Sequence, residues 1–144
     1  NIVGMSKAIS VAYKNLNHEL EHILHLKAYL IKNLKINFPD VVFNGMSDDL
    51  NLSSHTILNV AFPNFKDKRE LFNFNLDLKG VACSRGSACQ SGSTSGSHVL
   101  NVINSDLNKK VPSIRFSFSH FNKIEEIDYL VEVLKSFSET PVSL

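Results

Sequence analysis

The sequence predicts an α+β domain: a long N-terminal helix followed by a small, mainly antiparallel sheet that helices cover on one face. Three observations carry this. Apolar residues recur at steps of three and four from Ile2 to about Leu34, β-favouring runs lie at 41–43, 56–62 and 113–119, and amphipathic stretches separate and follow them. With 144 residues and 43% hydrophobic content, 1–144 fits a single domain with a real core.

The first helix reads from Met5, Ile9, Leu16, Leu20, Ile23, Leu30 and Leu34, and at 1.5 Å per residue it would be roughly 45–50 Å long. That is more than a domain of this size can cover, so part of it should pack on something beyond this chain. Phe38 before Pro39 ends it, because a residue preceding proline avoids the helical region. The strand at 56–62 is rich in β-branched and aromatic residues, and 44–54 connects it to the one before. Asp67 and Glu70 have the spacing of a capping box for a helix that ends at Gly80, and 81–84 reads as a short strand. A short helix follows near 97–103, capped by Ser95 or Ser97. Residues 113–119 alternate, with Ile114, Phe116 and Phe118 on one face and Arg115 and Ser117 on the other. Asn122 and Glu125 have capping-box spacing for a closing helix built on Ile124, Ile127, Leu130, Val131, Leu134 and Phe137.

Charge narrows the function classes. Lys plus Arg number 15 against 14 Asp plus Glu, spread along the chain, which argues against nucleic acid as a partner. No apolar run reaches the length that spans a bilayer and no signal-peptide pattern opens the chain, so a membrane is not expected as partner and the expected compartment is the cytoplasm. Both cysteines are then expected as free thiols. The chain opens at Asn1 already in helical pattern, as a piece of a longer protein would.

The chemistry concentrates at 81–97, where three of the six glycines (Gly86, Gly92 and Gly96) and both cysteines lie. Glycines supply turns that other residues resist, so Cys89 should sit on an exposed loop, where a thiol is more reactive than packed. Arg85 and His98 are cations that could favour its thiolate, whereas Cys83 lies in an apolar run and reads as packing. Arg115 sits mid-strand, facing either solvent or a pocket in which it grips a carboxylate. Three further motifs fail. HELEH at 18–22 matches a zinc-protease pattern, but with Leu16, Leu20 and Ile23 as the core stripe, His18, His22 and His25 face solvent, so no metal is expected. The loop lacks the lysine and hydroxyl of a phosphate-binding loop, and Cys83, Cys89 and His98 lack a fourth zinc ligand.

GVACSRGSAC at 80–89 followed by QSGS at 90–93 resembles the active-site loop of the cysteine desulfurases related to NifS and IscS. IVGMSKA at 2–8, SHVL at 97–100, IRFSF at 114–118 and EEID at 125–128 match in order and extend the likeness over nearly the whole chain. The resemblance implies the C-terminal small domain, with its linking helix, of a fold-type I pyridoxal phosphate enzyme of the class V aminotransferase group, its large cofactor-binding domain lying outside this chain. It implies that Cys89 takes sulfur from L-cysteine as a persulfide, leaving L-alanine, and that Arg115 binds the substrate carboxylate. Arg85, Gly86, Ser87, Ala88, Ser91 and Gly92 would support the thiol, and Arg85, where a small residue is often found, would favour its thiolate. Thr94, Ser95 and Gly96 stand where the family often has an acidic-proline turn. The Schiff-base lysine belongs to the large domain, so Lys7, Lys14 and Lys27 are not candidates and the isolated chain should neither hold pyridoxal phosphate stably nor turn over cysteine. Implied partners are a sulfur-acceptor protein, in the setting of iron–sulfur cluster assembly, and a second copy in a full-length homodimer. The alternatives are a selenocysteine lyase or another class V aminotransferase-like enzyme, and a non-enzymatic persulfide carrier or interaction module.

Overall fold

The computed structural model describes residues 1–68, 71–84, 98–103 and 111–139. Helix α1 spans Ile2–Asn37 and ends where Phe38, ahead of Pro39, leaves helical geometry while its N–H still reaches the Leu34 carbonyl. Burial does not follow the expected stripe. Leu16 is exposed and Leu20 only half-buried, and the packed face starts at Ile23 and continues through Leu26, Lys27, Leu30, Ile31 and Leu34. The N-terminal half of α1 projects from the domain with Ile2, Val3, Met5 and Ile9 in solvent.

The sheet has the order β1 (Val42–Phe43), β2 (Ile57–Ala61) and β3 (Ser113–Ser117), antiparallel throughout. All three are shorter than their sequence runs, although the Phe62 N–H to the Pro112 carbonyl at 2.9 Å and the Phe118 N–H to the Thr56 carbonyl at 2.8 Å carry backbone bonding past both ends of the β2–β3 pair. The run at 81–84 contributes a single antiparallel bridge, Ser84 opposite Arg115. Leu58, Val60, Ile114 and Phe116 point to one side and meet the C-terminal half of α1 and the closing helix α4 (Ile124–Glu139) through Ile127, Leu130, Val131 and Leu134. Five phenylalanines, Phe38, Phe62, Phe65, Phe72 and Phe137, fill the end of this layer with ring centroids 4.8–6.4 Å apart, in range for favourable aromatic contact.

Of the two expected capping boxes, the first includes Glu70, which lies outside the described residues, and the second forms one residue later than its spacing. Asp67 lies in a 3₁₀ segment, Pro63–Lys68, and helix α2 (Phe72–Leu78) starts from Leu71 without a side-chain cap. At α4 the box shifts by one residue: the Glu126 carboxylate, not Glu125, accepts from the Lys123 N–H at 2.9 Å and from Asn122 Nδ2 at 3.0 Å. Asn122 instead folds back, its Oδ1 accepting from the Ser119 N–H at 2.8 Å. The Asn122 bond, then that of the Lys123 backbone, lowers the Glu126 carboxyl below its ordinary pKa. The C-terminus of α2 behaves as its glycine predicts. Gly80 is left-handed at φ 76°, its N–H meets the Asp77 carbonyl at 2.8 Å, and the Val81 N–H meets the Leu76 carbonyl at 2.9 Å. This paired closure sends 81–84 back across the sheet edge and packs a half-buried Val81 against the core.

Candidate active site

The site is built on the sheet face opposite the core. Side chains alternate along β3, so with Ile114 and Phe116 inward, Arg115 stands on the other face. Arg115 pairs in register with Asn59 of β2, and on its other side it exchanges both backbone bonds with Ser84: Arg115 N–H to the Ser84 carbonyl at 2.8 Å and the reverse at 3.2 Å. Its Nε is buried and has no hydrogen-bond partner among the described residues. A guanidinium carrying a dry, unanswered N–H does not match the solvent-facing alternative; it is a donor awaiting an acceptor, and a carboxylate fits it side-on.

Cys83 precedes Ser84 and points to the other face, against the core. Its Sγ donates to Asn73 Oδ1 at 3.3 Å, and burial, assisted by the negative charge of Asp77, pushes the thiol up to about 11. Such a thiol is protonated near neutrality and is no nucleophile, in keeping with a packing role. Cys89, Arg85, Gly86, Ser87, Ala88, Ser91 and Gly92 lie outside the described residues; the chain enters that segment directly after Ser84 and re-emerges at helix α3 (His98–Ile103).

Three residues that sequence reasoning passed over complete the face. Asn44 is buried and its Nδ2 donates to Asn59 Oδ1 at 3.0 Å and, at 3.4 Å, to Ser113 Oγ. Ser47, also buried, holds both backbone groups of Asn59, donating to its carbonyl at 2.8 Å and accepting from its N–H at 3.2 Å. The available signal was Asn59 itself, an amide inside an otherwise apolar strand at the parity opposite the core.

HELEH serves docking. His22 is half-buried rather than solvent-facing, with Nε2 2.9 Å from the Asn122 carbonyl, and Glu19 lies 3.4 Å from His120, so the motif ties α1 to the turn before α4. Among the described residues no group of three His, Cys, Asp or Glu side chains is arranged to hold a metal.

Fold and site together define an α+β domain that presents Arg115, its Nε buried, beside Ser84, the residue that precedes the segment holding Cys89. The sequence model of the family Aminotransferase class-V matches residues 1–130, and the chain belongs to that family. It is 36% identical to a probable mitochondrial cysteine desulfurase of Dictyostelium discoideum over 92% of this chain and 28% of that protein. It is 34% identical to the cysteine desulfurase IscS of Dictyoglomus turgidum over 96% of this chain and 34% of that one. It is also 36% identical to a human cysteine desulfurase over 91% and 27%. A crystal structure of a NifS-like protein from Rickettsia africae has the same fold, with a TM-score of 0.71 at 24% identity over 96% of this chain and 34% of that one. The chain thus spans about a third of the length of the relatives it matches.

The family is pyridoxal phosphate-dependent, and cysteine desulfurases take sulfur from cysteine and pass it to acceptors. The described residues do not compose a site for the cofactor. Lys27, the buried lysine among them, spends its ammonium on Ser53 Oγ at 2.6 Å and the Ser54 carbonyl at 2.8 Å. No step through the cofactor follows from them.

Proposed function

We propose that this chain is the C-terminal small domain, with its linking helix, of a cytoplasmic, homodimeric, pyridoxal phosphate-dependent cysteine desulfurase. Arg115 binds the carboxylate of L-cysteine. The C–S bond of the substrate breaks, its sulfur joins the Cys89 sulfur as a persulfide, and the carbon left behind takes a proton to give L-alanine. The persulfide then passes to an acceptor protein, in the setting of iron–sulfur cluster assembly. One observation carries this reading: Ser84, the last residue before the segment that holds Cys89, is paired to Arg115, whose buried Nε lacks an acceptor among the described residues. Four residues of chain separate Ser84 from Cys89, so the groups for substrate and sulfur are tethered to neighbouring backbone. The apolar residues exposed along the first half of α1 support a large domain that covers them.

The test uses full-length protein with pyridoxal phosphate and L-cysteine. With a thiol reductant present to release the persulfide sulfur, alanine and sulfide should appear, and Cys89→Ser should abolish both; turnover undiminished by that change overturns the mechanism. Arg85, in this reading, favours the Cys89 thiolate, so Arg85→Ala should shift the pH profile of Cys89 alkylation upward. An unchanged profile removes Arg85 from the site.

A further inference from the structure

We propose that Asn59 is a second donor to the substrate carboxylate, offered beside Arg115 by an amide that Asn44 and Ser47 hold in one orientation; the proposal rests on the reading of Arg115 given above. Asn59 and Arg115 are register partners, so their side chains stand on the same face with β-carbons about 5 Å apart. An amide has one accepting and one donating end. The accepting end of Asn59 is turned to Asn44, its Oδ1 receiving the Asn44 Nδ2 at 3.0 Å, and it does not receive the Arg115 Nε. What remains is the NH₂, and it cannot satisfy a guanidinium, which only donates. Two donors side by side, one of them the buried and unanswered Nε of Arg115, call for an anion with two accepting oxygens.

The orientation is built rather than incidental. β1 stops at Phe43, and the chain then makes two successive left-handed residues, Gly45 at φ 61° and Met46 at φ 56°. Positive φ is unfavourable for a long side chain such as Met46, so the turn is retained at a cost. It delivers Asn44 to the Asn59 side chain and Ser47 to the Asn59 backbone, taking over the ladder where β1 has ended. Burying two polar side chains to clamp a third is a poor way to stabilise a sheet and an effective way to aim an amide.

The full-length holoenzyme tests this through Asn59→Asp and Asn59→Ala, with Arg115→Ala alongside. A merely structural Asn59 tolerates aspartate better than alanine, since aspartate still accepts from Asn44. A donor to the carboxylate gives the opposite order, because aspartate removes the donor and pairs with Arg115. Asn59→Asp should raise the KM for L-cysteine and the Kd for L-alanine, measured by calorimetry, about tenfold or more, and Asn59→Ala by about threefold to tenfold, with kcat within about threefold. Asn59→Asp within about twofold of wild type while Arg115→Ala raises both constants overturns the role of Asn59 alone. Both constants unmoved by Arg115→Ala overturns the carboxylate site and Asn59 with it. If Asn59→Asp does not fold, as judged by cofactor absorbance and Tm, Asn44→Ser decides: freeing the Asn59 amide should raise KM about twofold to fivefold, and an unchanged KM overturns the proposal.

Discussion

Ser84 and Arg115 exchange both of their backbone hydrogen bonds, at 2.8 and 3.2 Å, across an edge where no further strand pairing occurs among the described residues. The pair fixes the height at which the chain leaves the sheet and the height of the guanidinium together. Replacing Arg115 with lysine keeps the charge and the backbone bonds but loses the planar fork that meets two carboxylate oxygens at once. In steady-state kinetics of the full-length protein, Arg115→Lys should raise the KM for L-cysteine by about 10- to 100-fold, with little change in Tm. A KM within about twofold of wild type would remove Arg115 from substrate binding.

Gly80 determines where that edge begins. Its φ of 76° closes α2 through the Gly80 and Val81 N–H groups, and a β-carbon built there meets nothing within 4 Å. Gly80→Ala is therefore penalised by backbone conformation alone, at about 1 kcal/mol, which should lower Tm by about 4 °C. Gly80→Asn should recover much of the loss, because asparagine tolerates the left-handed region better. Equal midpoints for the alanine variant and wild type would contradict this account of the turn.

Cys83 gives a test by pH. With its thiol pushed up to about 11, it should resist iodoacetamide at pH 8 in folded protein and react once urea exposes it, as mass spectrometry of the labelled peptides would show. The folded pKa is raised above the unfolded one, so the stability tied to this proton is intact below the ordinary thiol range and is lost as pH rises through about 11. Cys83→Ala should flatten that alkaline decline. Labelling of folded protein at the rate of free cysteine would show the thiol to be accessible and ionised.

How much of this was legible in the sequence depends on how local each cause is. Helix α1, the alternation of β3 and the glycine end of α2 follow from periodicity and backbone preference, and each stands within a few residues of its expected place. The buried stripe of α1 was misplaced because burial depends on how far α4 and the sheet reach along the helix, which no helical repeat encodes. The capping box of α4 was misread since spacing alone does not tell which residue enters the helix first; Asn122 was recruited by Ser119 instead. Arg115 was legible as a candidate, but its two alternatives were separated only by a buried Nε. Asn44, Ser47 and Asn59 come together through strand register and a left-handed turn, neither of which leaves a periodic trace.

Lys27 shows what the misplaced stripe concealed. It lies on the packed face of α1, fully buried, and clips the 44–54 connection through Ser53 Oγ and the Ser54 carbonyl. The Ser53 hydroxyl, with one proton to give, lies closest to the Asp49 carbonyl and 3.2 Å from that of Ser47, so the clip sits beside the residue that clamps Asn59. Desolvation lowers the Lys27 pKa, and the charges of Asp48 and Asp49 offset only part of that. A lysine whose folded pKa is lowered releases its proton before the unfolded chain does, so it adds stability as pH rises from the folded value toward the ordinary 10.5. Lys27→Met removes this titration while keeping a side chain of similar length among Leu26 and Leu30. The variant leaves the Ser54 carbonyl without its donor, which costs about 1–3 kcal/mol, while it also removes a buried charge. The sign of the net change at pH 7 is therefore set by two opposing terms, but its pH dependence is not. Urea unfolding of the two proteins at pH 7 and pH 9.5 should show wild type gaining on Lys27→Met as pH rises; a constant difference would mean that the ammonium is solvated and that the clip is not buried.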